Sequence, residues 1–197
     1  KILRYEIKDI LPPDSVRGGV LAQAYVFKYQ QNLKGLIISN MMSSIPAYNK
    51  YAHEVLMPAM DQKALEEILS LEKKKEFDNP RYEELLMGNF YNQHILRLPM
   101  EQWPEPVIRT FKHLNKPLYT RMQGPSEMGA SGVLENWDRS KDLDKITVPT
   151  LLIQGTVDTL FTLDEAATNY RILRRHGVPT AMLWYCGGHG ACLTDAG

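Results

Sequence analysis

The sequence has almost no cysteine, with Cys186 and Cys192 the two it contains in 197 residues. A disulfide framework for a domain of this size is thereby excluded, and so few thiols fit a reducing compartment. Excess charge of either sign is also missing. Lys plus Arg and Asp plus Glu both total 23, a formal net charge of zero, so no basic field exists to hold nucleic-acid phosphates or an anionic membrane. Long apolar runs are absent as well. Stretches such as 36–38 and 150–153 are far too short to cross a bilayer, and the opening "KILRYEIKDIL" lacks the unbroken apolar centre of a signal peptide. The expectation is a cytoplasmic protein with no nucleic-acid partner and no membrane partner. Its first residue is Lys rather than Met, which reads as processing or truncation.

What is present is an ordinary globular composition, 44% hydrophobic, without internal repeats or low-complexity segments. Val20, Leu21, Ala24 and Tyr25 recur at helical spacing to about Gln31, and "KGLIISN" follows as a short, continuously apolar segment of the kind buried in a parallel sheet. From Met41 to about Asp138 the pattern turns helical. "DQKALEEILSLEKKKEF" is a charged amphipathic helix with Asp61 as its cap, and a second helix starts after Pro80. Strand character returns in "ITVPTLLIQG". A helix follows with Thr162 and Glu165 as a capping box and Gly177 as terminator, and then the strand "VPTAMLWYC". The order predicts an α/β fold, an open parallel sheet with a helical insertion. Its divisions are 1–40 (turn, helix and strand), 41–140 (helical block) and 141–197 (β/α/β).

Chemistry concentrates at two strand ends. Asp158 follows the strand containing 151–153 by a short loop, and His189 follows the strand ending at Tyr185, so both leave the carboxyl edge of a parallel sheet, where α/β sites lie. A carboxylate followed in sequence by a histidine is the order of an acyl-transfer pair, in which the acid orients the imidazole that moves the proton. Either residue alone is more often structural. The same His sits in "CGGHGAC", a spacing that invites zinc, but no fourth ligand is evident nearby. Cys186 is expected to be buried and inert, and the site is expected to need no metal and no cofactor.

Three segments carry a family resemblance: "AYVFKYQQNLKGLIISNMMSSIPAYNKYAHEVLMPAM", "FDNPRYEELLMGNFYNQHILRLPMEQWPEPV" and "MQGPSEMGASGVLENWDRSKDLDKITVPTL". They resemble proline iminopeptidases, α/β-hydrolases that release an N-terminal proline from peptides, from about Gly18 to Leu151. The resemblance implies a partial α/β-hydrolase sheet with a helical cap. It also implies Asp158 and His189 in the acid and base positions, Glu127 of "GPSE" binding the free α-amine, and a short peptide with a free N-terminus as partner. A carboxylate suits an ammonium group because it accepts charge-assisted hydrogen bonds. The tail from Leu152 is more similar to another α/β-hydrolase branch, that of acyl- and dipeptidyl-peptidases. There Thr159 stands where some iminopeptidases place a second amine-binding glutamate, so the chain reads as a natural mosaic or an engineered chimera.

The nucleophile motif departs from the family. Its pattern is Gly-x-Ser-x-Gly-Gly; aligning Gly18 and Gly19 with the final pair puts Val16 at the serine, Asp14 at the first glycine and Arg17 where Trp is common. A β-branched residue is poorly suited to the positive φ of that turn and has no hydroxyl. Taking Ser15 instead loses both flanking glycines, while Pro12 and Pro13 interrupt the strand that should precede it. Nothing in residues 1 to 13 matches the family's oxyanion loop. The expectation is an iminopeptidase-like hydrolase that is inactive as this chain. The alternatives are a non-catalytic interaction module that self-associates or binds a partner chain over an incomplete sheet, and a serine esterase or acylase using Ser15. Ser43 and Ser44, at the entrance to the cap, read as hinge residues.

Overall fold

The apolar segments do become strands. In the computed structural model, which describes residues 18–189, α1 (Gly18–Tyr29) leads to β1 (Leu36–Ser39). Residues 14–17, where the nucleophile motif was sought, lie outside the described region, as does Cys192. A Cβ on Gly19 would stand 2.8 Å from the Cβ of Met41. Glycine is what lets the start of α1 approach the segment leaving β1 so closely.

Between β1 and the next strand the chain runs through helices whose starts follow capping rules. Ser44 caps α2 (Ile45–Tyr51), accepting from the Ala47 amide. Asp61 caps α3 (Gln62–Lys73) through the Ala64 amide at 2.9 Å, as expected. Asn79 caps α4 (Pro80–Leu86), which has Pro80 at its first position, where its missing N–H costs nothing. A π-helical turn at Met87–Tyr91 continues α4 and buries Phe90 and Tyr91. Then come α5 (Glu105–Lys112) and α6 (Lys116–Met122), the latter capped by Asn115. These helices carry much of the buried apolar set, including Ile45, Ile68, Leu86 and Phe90.

The helical excursion begins and ends at one place. Ser44 bridges Asp138, the Ile45 amide donates to Trp137 O at 2.9 Å, and the Arg139 amide donates to Ser43 O at 2.8 Å. Returning to the sheet, the chain forms β2 (Thr150–Gly155), α7 (Leu163–Arg175) and β3 (Thr180–Tyr185). The strands are parallel in the order β1-β2-β3. Register places Ile37, Leu151 and Ala181 in one row and Ser39, Ile153 and Leu183 two rows on, on the same face. Leu36, Ile38 and Leu152 are buried on one face, whereas Ile37 (52% exposed) and Leu183 (53% exposed) lie on the other. Parallel sheets are ordinarily covered on both faces; this one is open on one side among the described residues.

The two ends of α7 differ in how they follow sequence. Gly177 adopts φ +78°, with its amide donating to Arg174 O and that of Val178 to Leu173 O, each at 3.1 Å. That is the paired-bond helix stop glycine permits, and Leu173 and Val178 are both buried beside it. The capping box does not form. The Thr162 side chain makes no cap hydrogen bond, and the Glu165 carboxylate instead accepts from the amide and the hydroxyl of Ser43, both at 3.2 Å. The Ser43 hydroxyl also lies 2.9 Å from Asn169 Oδ1. Glu165 therefore ties the entrance of the cap to α7. Ser43→Ala removes that hydroxyl from a buried cluster and should destabilise the protein by about 1–2 kcal/mol, read as a lowered urea midpoint. An unchanged midpoint would mean that the cluster contributes nothing.

Candidate active site

Asp158 lies in the loop after β2 and is 4% exposed. Its Oδ1 accepts from the amides of Leu160 at 2.9 Å and Phe161 at 3.0 Å, so the loop wraps round the carboxylate. Its Oδ2 accepts from His189 Nδ1 at 3.0 Å. The structure thus brings together the two residues that sequence placed at neighbouring strand exits. Phe161 meets the imidazole edge to face, with centroids 5.0 Å apart and planes at 83°. A carboxylate on Nδ1 fixes the tautomer and leaves Nε2, across the ring, as the nitrogen able to exchange a proton. Among the described residues no serine hydroxyl bonds to this ring.

Glu127 sits in the loop between α6 and β2. It is 6% exposed, not the solvated residue that a Gly-Pro-Ser-Glu loop suggests. The Tyr119 hydroxyl donates to Oε1, and Gln123 Nε2 lies 3.4 Å from Oε2. The Tyr48 hydroxyl donates to the Glu127 carbonyl, and the Glu127 amide donates to the Tyr91 hydroxyl at 3.3 Å. Burial, followed by the nearby Glu127 charge, raises the Tyr91 phenol well above its usual range, so it stays protonated. A further carboxylate, Glu72, is raised by burial and receives the Tyr82 hydroxyl at 2.6 Å.

His189 and Glu127 line one cavity of about 620 Å³, together with Gly19 and Asn40 at the sheet edge and Tyr82, Tyr91 and Phe111 from the helices. A space of that size takes a small organic molecule or the end of a peptide. Apolar walls with a carboxylate and an imidazole suit a ligand carrying a cationic group and a bond open to proton transfer.

Thr159 is no anionic subsite. Its hydroxyl lies 2.9 Å from His94 Nδ1 and 3.2 Å from Arg97 Nη2, and Arg97 Nη2 also donates to Val157 O at 2.9 Å. Arg97 therefore grips the residues on either side of Asp158. Sequence reading missed it, and also missed Asn40 and the tyrosines around Glu127. Only the positive φ of Asn40 (44°) and Arg97 (56°) marks the first two locally. Cys186 is exposed rather than buried, because β3 is an outer strand and its last residues face solvent.

No family model matches the chain. Over 143 residues it is 54% identical to a proline iminopeptidase of Flavobacterium johnsoniae, covering 73% of this chain and 48% of that protein. It is 51% identical over 145 residues to one from Elizabethkingia meningoseptica, with the same coverages. Among solved structures, VinJ superposes with a TM-score of 0.71 at 25% identity, over 87% of this chain and 56% of VinJ. The Mycobacterium smegmatis proline iminopeptidase gives 0.61 at 21%, over 85% and 54%. The chain is a partial α/β-hydrolase, a parallel sheet with a helical cap. Within that class its sequence is similar to the proline iminopeptidases over nearly three quarters of its length, and it spans about half the length of the curated relatives it matches. No helix among the described residues is long and apolar enough to cross a membrane.

Burial, then the Arg97 charge, depresses the pKa of His94 below its usual 6.5, with Asp158 acting in the opposite sense. A histidine held neutral in the folded state supports folding above about pH 6.5, and that support is lost as pH falls toward the folded value. Thermal midpoints of the wild type should therefore drop between about pH 7 and 5 more steeply than those of His94→Gln. Parallel curves would show that His94 carries no such linkage.

Proposed function

We propose that the chain is the cap and carboxyl-terminal half of a proline-iminopeptidase-type hydrolase, working in the cytoplasm on short peptides with a free N-terminus. Residues 1–40 are the remnant of its nucleophile turn, helix and strand, 41–140 its cap, and 141–197 the last part of its core. One observation carries the reading: an imidazole held by a buried carboxylate opens onto the same cavity as a buried glutamate. Glu127 receives the peptide's ammonium group. The scissile carbonyl then lies toward His189, whose Nε2 stands where the general base of a hydrolase with its nucleophile in place would take and return the proton, with Asp158 orienting the ring.

The nucleophile slot, outside the described residues, aligns with Val16, so the chain as it stands binds such peptides and turns them over little or not at all. A second reading has an observation of its own. The open sheet face bearing Ile37 and Leu183 suits an interaction module that pairs with another copy, and a dimer in light scattering with no affinity for amino-terminal peptides favours it.

Titration with L-prolinamide tests the first reading directly. Binding should weaken roughly tenfold or more in Glu127→Gln, since a charge-assisted pair is lost, and N-acetylprolinamide should not bind. Equal affinity in the variant would remove Glu127 as anchor. Turnover of a proline arylamide should be absent, with no fluorophosphonate labelling; robust turnover abolished by Ser15→Ala would show that Ser15 is the nucleophile.

A further inference from the structure

At the carboxyl end of β1 one side chain touches all three strand exits. Asn40 stands at φ 44°, a left-handed conformation that asparagine tolerates better than most residues with a Cβ. Its amide donates to Ile153 O at 2.9 Å, and its Oδ1 accepts from the Gly155 amide at 2.9 Å. A backbone N–H is only a donor, so that contact fixes which end of the carboxamide faces β2. The other end, Nδ2, donates to the Tyr185 hydroxyl and lies 3.5 Å from the carbonyl oxygen of His189. Tyr185 passes the link on, its hydroxyl donating to Gly188 O at 3.0 Å. Gly155 is the point where β2 gives way to the Asp158 loop. Gly188 and His189 are the loop that presents the imidazole.

We propose that Asn40, acting through Tyr185, is the positioning residue that sets His189 against Asp158. The proposal rests on the reading of those two residues as an acid–base pair, and it adds a group that neither sequence motif nor family resemblance singles out. Asn40 bonds to neither ring nor carboxylate. It spans the gap between the strand carrying the acid and the loop carrying the base, and so fixes their relative position.

The chain leaving β2 holds the start of the histidine loop directly, with the Thr156 amide donating to Tyr185 O at 3.0 Å and the Val157 amide to Gly187 O at 3.1 Å. A Cβ on Gly155 would lie 2.5 Å from Gly187 O, so the histidine loop crosses the end of β2 over glycine backbone. Glycines restrict the chain beyond Gly187 little, and the strut acts there, on the carbonyls of Gly188 and His189.

The test reads the pair, not turnover. In the full chain, the Nδ1–H proton of His189 is assigned by its loss in His189→Gln, and its exchange with water is measured by NMR. Asn40→Gly keeps the left-handed backbone open and removes the side chain; Tyr185→Phe keeps the ring and removes the hydroxyl. Each should speed exchange by about tenfold or more, and the double variant by no more than the larger single effect, because both cut one chain of bonds. Asn40→Asp retains an acceptor for Gly155 but no donor for Tyr185, and should resemble Tyr185→Phe. A His189 proton as protected in Asn40→Gly and Tyr185→Phe as in the wild type would overturn the strut while leaving the pair intact. If Asp158→Asn leaves the wild-type signal unchanged, the pair itself is absent and the strut's role falls with it.

Discussion

A carboxylate removed from water must have its oxygens answered by donors, and the answers given to Asp158 shape the sheet edge. Two amides from the following turn hold Oδ1, so residues 158–161 are folded round it. That leaves Oδ2 directed at the place His189 fills. The arrangement requires β2 and β3 to be adjacent and parallel, which a single crossover helix provides. It further requires the histidine loop to come within contact of β2, and the bare backbone at Gly155 admits it. Strand order, the helix between, and one glycine are thus consequences of satisfying one buried charge beside one imidazole.

The cap is tied into the same constraint from above. Its entrance and exit are joined through Ser43, Ser44, Trp137 and Arg139, and Glu165 fastens that junction to the crossover helix. Farther along, Arg97 and the Tyr51 hydroxyl bind the backbone of residues 157 and 159. Each bond is worth only about 0.5–1.5 kcal/mol net, so their importance is directional. Cap and acid loop cannot shift independently without breaking several. The cavity lined by His189 and Glu127 is braced by one helix, since Tyr48 and Tyr51 of α2 donate to the carbonyls of Glu127 and Thr159.

The β/α/β unit was legible because its signals are local: continuous apolar segments, a helical pattern between them, and a glycine where the helix stops. The meeting of Asp158 and His189 was legible for the same reason, since crossover handedness leaves few other outcomes. Long-range competition was not. Thr162 and Glu165 have the spacing of a capping box, yet Glu165 is claimed by Ser43, 122 positions away. Cys186 closes an apolar segment and so looked buried, but an outer strand leaves its last residues in solvent. Glu127 in a Gly-Pro-Ser loop looks solvated, but the hydroxyls of Tyr48, Tyr91 and Tyr119, from separate helical segments, and the Gln123 side chain converge on it. Asn40 reads as an ordinary polar residue after a strand; nothing local shows that its amide faces two other strand ends.

Among the described residues, the hydrogen bonds that hold Asp158, His189 and Glu127 come from the segments between Asn40 and His189, and none comes from α1. The start of α1 meets the segment leaving β1 by packing, through the close fit of Gly19 against Met41. Among the described residues, the ties that place Asp158, His189 and Glu127 do not pass through α1. A contact built from such ties needs no nucleophile in place in order to form. The Val16 alignment and the intact Asp158–His189 contact are compatible for that reason.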